Sequence, residues 1–107
     1  MTWMVEYLNQ TVVEEAEALP VGMQARLQRI IELVQLFGLE RVHEPHVKHL
    51  DGSLWEIRVS GKSGIARALY VTVIGKRAVI LRVFMKKTQN TPRREIELTG
   101  QRAKDIK

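Results

Sequence analysis

The sequence predicts a single α+β domain, residues 1–107, in which a small twisted antiparallel β-sheet packs on a helical hairpin and a C-terminal helix follows. Three observations support this: helical apolar periodicity at residues 21–37, three later β-rich runs divided by turn sequences, and a length of only 107 residues. Hydrophobic residues make up 45% of the chain, enough for one modest core. The predicted element order is β-α-α-β-β-β-α.

The N-terminal part is predicted to form a strand and then a short helix. Residues 3–8 are rich in large apolar side chains that partly alternate, as in a strand. Thr11 and Glu14 have the spacing of a capping box, which predicts a helix over residues 12–19. Pro20 ends that helix and suits the start of the next one.

The second helix is predicted from one apolar stripe. The stripe follows the spacing i, i+3, i+4 and i+7 and consists of Leu27, Ile30, Ile31 and Val34. Gly38 lies where a left-handed C-terminal cap is expected, so the helix should span residues 21–37. We expect the two helices to form a hairpin.

The C-terminal half is predicted to form a three-stranded meander and a helix. Residues 39–53 lack a clear period and are predicted to be a loop. The β-rich runs that follow, separated by glycine-containing turns, are residues 54–60, 65–74 and 77–86. Thr91 and Pro92 resemble an N-cap and a first helical residue, which predicts a helix over residues 93–104.

The composition excludes several classes of protein. There is no cysteine, which rules out disulfides, a thiol nucleophile and a cysteine-ligated zinc site. His43, His46 and His49 recur every third residue, but a proline lies among them and we expect no metal or other cofactor; His46 or His49 is an alternative proton shuttle. The sequence has no apolar run of membrane-spanning length and no signal peptide, so we expect a cytoplasmic protein without a membrane partner.

The charge is distributed unevenly along the chain. Residues 1–57 carry four basic and nine acidic side chains, a net charge of −5, whereas residues 58–107 carry thirteen basic and three acidic ones, a net charge of +10. A strongly basic half favours a polyanionic partner, because neutralised phosphates release counterions. The alternative is a domain with an uneven surface charge and no such partner.

Strand alternation predicts which side chains share a face of the sheet. The apolar sets expected to face the helices are Trp55, Ile57 and Val59 in one strand and Val79, Leu81, Val83 and Met85 in another. The opposite, uncovered face should then carry Glu56, Arg58, Arg82 and Lys86, with Arg67 joining them from the middle strand. Lys87, Arg93 and Arg94 should flank this basic surface.

Three segments give the sequence a resemblance to a known family. They are residues 54–58 (LWEIR), residues 64–67 (GIAR) and residues 84–92 (FMKKTQNTP), the last followed by Glu95. Together with the element order, they resemble the phage-derived, HigB-like branch of the RelE/ParE toxin superfamily over almost the whole chain. The third segment is the most specific of the three.

The resemblance implies a RelE-like fold and a toxin of a type II toxin–antitoxin pair that acts as a ribosome-dependent mRNA endonuclease. It also implies a cognate antitoxin, often a helix-turn-helix protein, and mRNA on the ribosome as substrate. By position, the residues that match the basic RNA-cutting cluster of RelE are Arg58, Arg67, Lys86 and Lys87. Position 56 is Glu where RelE has a lysine, and no tyrosine matches the late aromatic residue of RelE.

RNA supplies its own nucleophile, so the predicted site needs mainly to hold charge. Arg58 and Arg67 are expected to clamp the scissile phosphate, and Lys86 or Lys87 to stabilise the leaving oxygen or position the RNA. Glu56 is either a general base or the ion-pair partner of Arg58. Further RNA contacts are predicted at Arg82, Arg93, Arg94 and Phe84, although Phe84 could instead be a packing residue.

Two other functions remain open from the sequence. One is a ParE-like inhibitor of DNA gyrase that shares the fold but acts through protein contacts. The other is a nucleic-acid-binding module without catalytic activity.

Overall fold

The computed structural model describes residues 3–39, 47–62, 64–86 and 91–106. The elements are β1 (Met4–Tyr7), α1 (Gln10–Glu17), α2 (Val21–Phe37), β2 (Val47–Asp51), β3 (Leu54–Gly61), β4 (Gly64–Val73), β5 (Arg77–Lys86) and α3 (Arg93–Ala103). The α+β class, the helical hairpin, the three-stranded meander and the C-terminal helix are therefore confirmed. No helix in these ranges is long and apolar enough to cross a membrane.

The sheet contains one more strand than the sequence predicts. Among the described residues its order is β1-β5-β4-β3-β2, and every neighbouring pair is antiparallel except β1 with β5, which is parallel. The predicted loop over residues 39–53 is wrong at its C-terminal end, because β2 pairs there with β3. Apolar alternation is weak in β2, since Lys48 and His49 interrupt it, so pairing rather than pattern defines this edge strand.

Both predicted helix N-caps are corrected by the structure. Helix α1 begins at Gln10, and the side chain of Asn9, not of Thr11, caps it by accepting a 3.1 Å hydrogen bond from the Val12 amide. In α3 the N-cap position is Pro92, and no side chain caps the helix. At the end of α2, Gly38 donates to the Val34 carbonyl and has the positive φ, 86°, that favours glycine, but its ψ of 156° lies outside the left-handed helical region, so the predicted left-handed cap is corrected.

A β-bulge in β5 reverses part of the predicted face assignment. Tyr70 pairs with Ile80 and Leu69 with Arg82, so Leu81 has no residue opposite it in this register. Beyond the bulge the alternation is shifted by one, and the prediction that Val79, Leu81, Val83 and Met85 share one side is wrong. Val83 and Met85 contact the helical hairpin, whereas Val79 and Leu81 lie on the other face.

The molecule has an apolar core on each face of the sheet. The larger core lies between the sheet and the helical hairpin, and Ile57 and Val59 of β3 contribute to it as predicted. The smaller core consists of Leu54, Leu69, Val71, Val79, Leu81 and Phe84, and Ile96 and Ala103 of α3 pack on it. Helix α3 therefore covers part of the face that the sequence predicted to be open.

Candidate nucleic-acid interface

Glu56, Arg58 and Arg67 lie together on the α3 side of the sheet. Glu56 and Arg58 are two residues apart in β3 and so share a face, and Arg67 of β4 is directly opposite Arg58 in the register. One carboxylate oxygen of Glu56, Oε1, lies 2.9 Å from Arg67 Nη1 and 2.8 Å from Arg58 Nε. The predicted convergence of charged side chains from separate strands is therefore confirmed for these three residues.

Thr91, just before α3, completes this group. Its hydroxyl donates a 2.6 Å hydrogen bond to the second carboxylate oxygen of Glu56, Oε2, and accepts one of 3.1 Å from Arg67 Nη1. Both oxygens of Glu56 are thus engaged by protein groups. We call Glu56, Arg58, Arg67 and Thr91 the Glu56 network.

The members of the Glu56 network differ sharply in exposure. The side chains of Glu56 and Arg67 are 0% and 1% exposed, whereas that of Arg58 is 20% exposed. A buried charge needs a partner, and here one carboxylate lies close to two guanidinium groups. Of these three charged groups, Arg58 is the one that reaches the surface.

Burial corrects the predicted position of two candidate catalytic residues. Arg67 was expected on an uncovered surface, but its side chain lies beneath the surface and binds Glu56 and Thr91. Glu56 was considered both as a base and as an ion-pair partner; the structure places it in the ion pair, with no exposed carboxylate surface. In this arrangement, neither residue presents an atom that a phosphate could contact directly.

Arg82 belongs to a separate ion-pair cluster. It donates to both carboxylate oxygens of Glu95 in α3, at 2.7 and 3.2 Å, and lies 3.0 Å from Glu15 in α1. Arg102 of α3 also contacts Glu15, at 2.9 Å. The hydrogen bond from Arg82 holds the pKa of Glu95 below its ordinary value, and the pKa of Arg82 is raised in turn. This cluster fastens α3 and α1 to β5, so Arg82 has a structural role, and the RNA contact at Arg82 stays a prediction.

The end of β1 explains why Glu15 and Arg102 are placed there. Strand β1 ends opposite Ile80, so among the described residues no strand pairs with the following part of β5 on that side. The amide of Val83 donates to Glu15 Oε1 at 3.1 Å, and the carbonyl of Leu81 accepts from Arg102 Nη1 at 2.9 Å. Charged side chains thus satisfy backbone groups that a neighbouring strand would otherwise pair.

The remaining predicted contacts fall into three groups. Phe84 is only 9% exposed and packs in the smaller core, with Arg82 Cζ 5.5 Å from its ring centroid, so it is corrected from a stacking surface to a packing residue. Arg93 and Arg94 are exposed at the start of α3, as predicted. The backbone of Lys86 pairs with Ile65 at the end of β5, whereas its side chain and Lys87 lie outside the described residues.

The described histidine has a local structural role. His49 Nε2 lies 2.7 Å from the Gly52 carbonyl oxygen across the turn after β2, and its ring contacts Trp55 edge to face. No group of metal-ligating side chains is found in the described ranges. His43 and His46 lie outside them.

Thr91 is a member of the network that the sequence did not predict. Thr-Pro before a helix indicates an N-cap, and this pattern gave no reason to expect that the hydroxyl binds Glu56 instead. A signal for it was present at Glu56, whose face-mate Leu54 and cross-strand partner Leu69 are both apolar. A carboxylate among apolar neighbours needs hydrogen-bond donors from elsewhere in the chain.

Comparison with solved structures shows which known fold this sheet and its three described helices resemble. A mutant of the E. coli toxin RelE in the free state matches with a TM-score of 0.64 and 17% identity, and the match covers all of both chains. A chain of the archaeal RelE-RelB complex from Pyrococcus horikoshii OT3 matches with a TM-score of 0.59 and 22% identity, over 84% of this chain and all of the other. The molecule therefore has the RelE-like toxin fold.

The sequence also matches a known protein family. Residues 14–104 match the family described as "Phage derived protein Gp49-like (DUF891)". The chain belongs to this phage-derived family of RelE-like toxins, within the RelE/ParE superfamily. No curated protein matches the chain significantly.

Proposed function

We propose that this chain is the toxin of a type II toxin–antitoxin pair and that it cleaves mRNA on the ribosome. The observation that carries the proposal is the position of Arg58: it is the partly exposed cation of a network in which Glu56 and Arg67 are buried. Such a guanidinium is held in place before a phosphate arrives, and a fixed donor stabilises developing negative charge without reorganisation. The RelE-like fold and the family support the same proposal.

The chemistry needs little from the protein. The RNA 2′-oxygen attacks the adjacent phosphorus and loses its proton, and the bond from phosphorus to the 5′-oxygen breaks as that oxygen gains a proton. The products are a 2′,3′-cyclic phosphate and a 5′-hydroxyl. The protein must hold the phosphate in line and stabilise the additional negative charge of the transition state.

The network residues divide between contact and support in this proposal. Arg58 contacts the scissile phosphate, Glu56 supports its guanidinium from 2.8 Å, and Arg67 binds Glu56 in turn. Lys86 ends β5, and its backbone pairs with Ile65, two residues along β4 from Arg67. Lys86 and Lys87, its neighbour in the sequence, are proposed to serve the leaving oxygen or position the RNA. The exposed Arg93 and Arg94 are proposed to contact the RNA backbone.

The test compares two arginine substitutions of equal charge. Arg58→Ala is expected to slow mRNA cleavage on translating ribosomes by about 10²–10³-fold, as for loss of one charge-stabilising donor. Arg29→Ala is the control, because Arg29 on α2 is 67% exposed and only 3.8 Å from Glu32 in a weak pair. Cleavage by both variants at the wild-type rate would contradict the assignment of Arg58.

The same preparation tests the function itself. If the wild-type protein cleaves no message on translating ribosomes but inhibits DNA supercoiling by gyrase, the endonuclease proposal fails and the ParE-like function takes its place. If it does neither but binds RNA, only a nucleic-acid-binding module remains.

The proposal includes an antitoxin as partner. One matching structure is a RelE-RelB complex, and the family resemblance favours a helix-turn-helix protein encoded nearby. The strongly basic half of the chain is suited to a partner that neutralises it. Co-expression with the product of the adjacent gene should give a co-purifying complex and relieve growth arrest; unchanged toxicity and separate elution would contradict this.

A further inference from the structure

Thr91 has a hydroxyl that its own helix does not use. A threonine before a helix normally accepts a hydrogen bond from an amide of the first turn. Here the N-cap position is Pro92 and no side chain caps α3. The hydroxyl instead reaches Glu56 Oε2 at 2.6 Å, across 35 residues of sequence. A contact so distant in sequence ties the start of α3 to the centre of β3.

The contact fixes an orientation that Glu56 alone would not keep. The terminal torsion of a glutamate is broad, so the carboxylate plane is not set by the side chain itself. Arg67 holds one oxygen, Oε1, and Thr91 holds the other, Oε2. With both oxygens held, the carboxylate cannot rotate about its terminal torsion. The Oε1 atom that also faces Arg58 Nε at 2.8 Å is thereby directed.

We propose that Thr91 is a positioning residue: its hydroxyl fixes the Glu56 carboxylate, which in turn holds the Arg58 guanidinium in line with the scissile phosphate. This inference rests on the proposed endonuclease function and deepens it. Thr91 itself contacts no substrate. Its effect on the reaction passes through Glu56 to Arg58, so it should appear in the chemical step more than in substrate binding.

The test uses substitutions that separate the hydroxyl from the shape of the side chain. Thr91→Val keeps the shape and removes the hydroxyl, whereas Thr91→Ser keeps the hydroxyl. Thr91→Val is expected to lower kcat for mRNA cleavage by about 10- to 100-fold with KM changed less than about threefold, because a misplaced group costs rate in the transition state. Thr91→Ser should keep kcat within about threefold of wild type.

Thr99 provides a matched control for the loss of a buried hydroxyl. It lies on α3, the helix that Thr91 precedes, is 0% exposed, and donates a 2.6 Å hydrogen bond to the Glu95 carbonyl, away from the Glu56 network. Thr99→Val should lower the thermal midpoint but leave kcat within about threefold of wild type at equal folded fraction. If Thr99→Val lowers kcat as much as Thr91→Val, the role of Thr91 is structural and the inference is wrong.

A double-mutant cycle tests the route through Arg58. In an Arg58→Ala background, adding Thr91→Val should lower kcat by less than about twofold, because the group it positions is already absent. Full additivity of the two effects overturns the inference, as does a single Thr91→Val variant with wild-type kcat. If Thr91→Val does not fold, Thr91→Ala replaces it in both experiments with the same expected results.

The outcomes distinguish this inference from the function on which it rests. A wild-type protein that cleaves no RNA removes the proposed function and the positioning role together. An active wild type whose rate is insensitive to Thr91→Val removes only the positioning role and leaves Arg58 as the phosphate contact.

Discussion

Replacing Glu56 by glutamine should cost the domain a large part of its stability. The substitution keeps the shape of the side chain but removes the only anion of the Glu56 network. Arg67, 1% exposed, then lies beside a neutral amide, whose NH₂ group donates and replaces one of the two oxygens that accept from Arg67 and Thr91. Breaking a buried ion pair from one side costs about 3–5 kcal/mol, because the remaining charge stays desolvated.

The loss is large on the scale of a small domain, whose whole stability is about 5–15 kcal/mol. Equilibrium urea unfolding measures it. With a slope of about 1–3 kcal/mol per molar urea, Glu56→Gln should lower the midpoint by about 1–5 M. Retained far-UV circular dichroism in the absence of urea shows that the variant starts folded.

Glu32→Gln makes the same chemical change in a different setting and serves as the control. Glu32 is 48% exposed and lies 3.8 Å from Arg29, so its replacement should change stability by less than about 0.5 kcal/mol. Midpoints for the two variants within about 0.5 M of each other would refute the reasoning, because burial would then add nothing to the value of the Glu56 pairs.

Further predictions concern packing and pH. Gly61→Ala should destabilise by about 1–3 kcal/mol in urea unfolding, because the added Cβ would lie 2.6 Å from Sδ of the buried Met23; an unchanged midpoint would show that Met23 moves freely. Gly100→Ala, within α3 and with open space around the added carbon, should stabilise by about 0.5–1 kcal/mol in the same assay. Arg82 holds the folded-state pKa of Glu95 below its unfolded value. The ionised Glu95 therefore stabilises the fold fully above about pH 4.3, and this stabilisation is lost as the pH falls through the folded-state pKa. Urea midpoints should therefore drop less on acidification in Glu95→Gln than in wild type, and equal drops would contradict this.

Local sequence patterns were sufficient for most of the fold because they report on single elements. The helical stripe containing Leu27 and Ile31 and the alternation of Ile57 with Arg58 each depend on a few neighbouring residues. The bulge at Leu81 could not be predicted, since it exists only in the register between β4 and β5. Because of this shift, the residues of β5 before the bulge lie on the face opposite to the one that simple alternation predicts.

The candidate site was predictable in position but not in depth. Alternation brought Glu56, Arg58 and Arg67 to one face, which the structure confirms. It could not show that α3 covers part of this face, because the docking of a helix depends on long-range pairs such as Arg82 with Glu95. The sequence therefore did not reveal that Arg58 reaches the surface whereas Glu56 and Arg67 are buried, because exposure depends on tertiary packing.

The parallel pairing of β1 with β5 bears on how the molecule is made. Arg77 binds Glu6 across 71 residues of sequence, and β1 has its partner strand only when β5 exists. At a synthesis rate of about 5–20 residues per second, the first strand waits several seconds for its neighbour. The sheet stays open at that edge until most of the polypeptide has been translated. A nascent chain therefore cannot complete its sheet before most of its own mRNA has been translated.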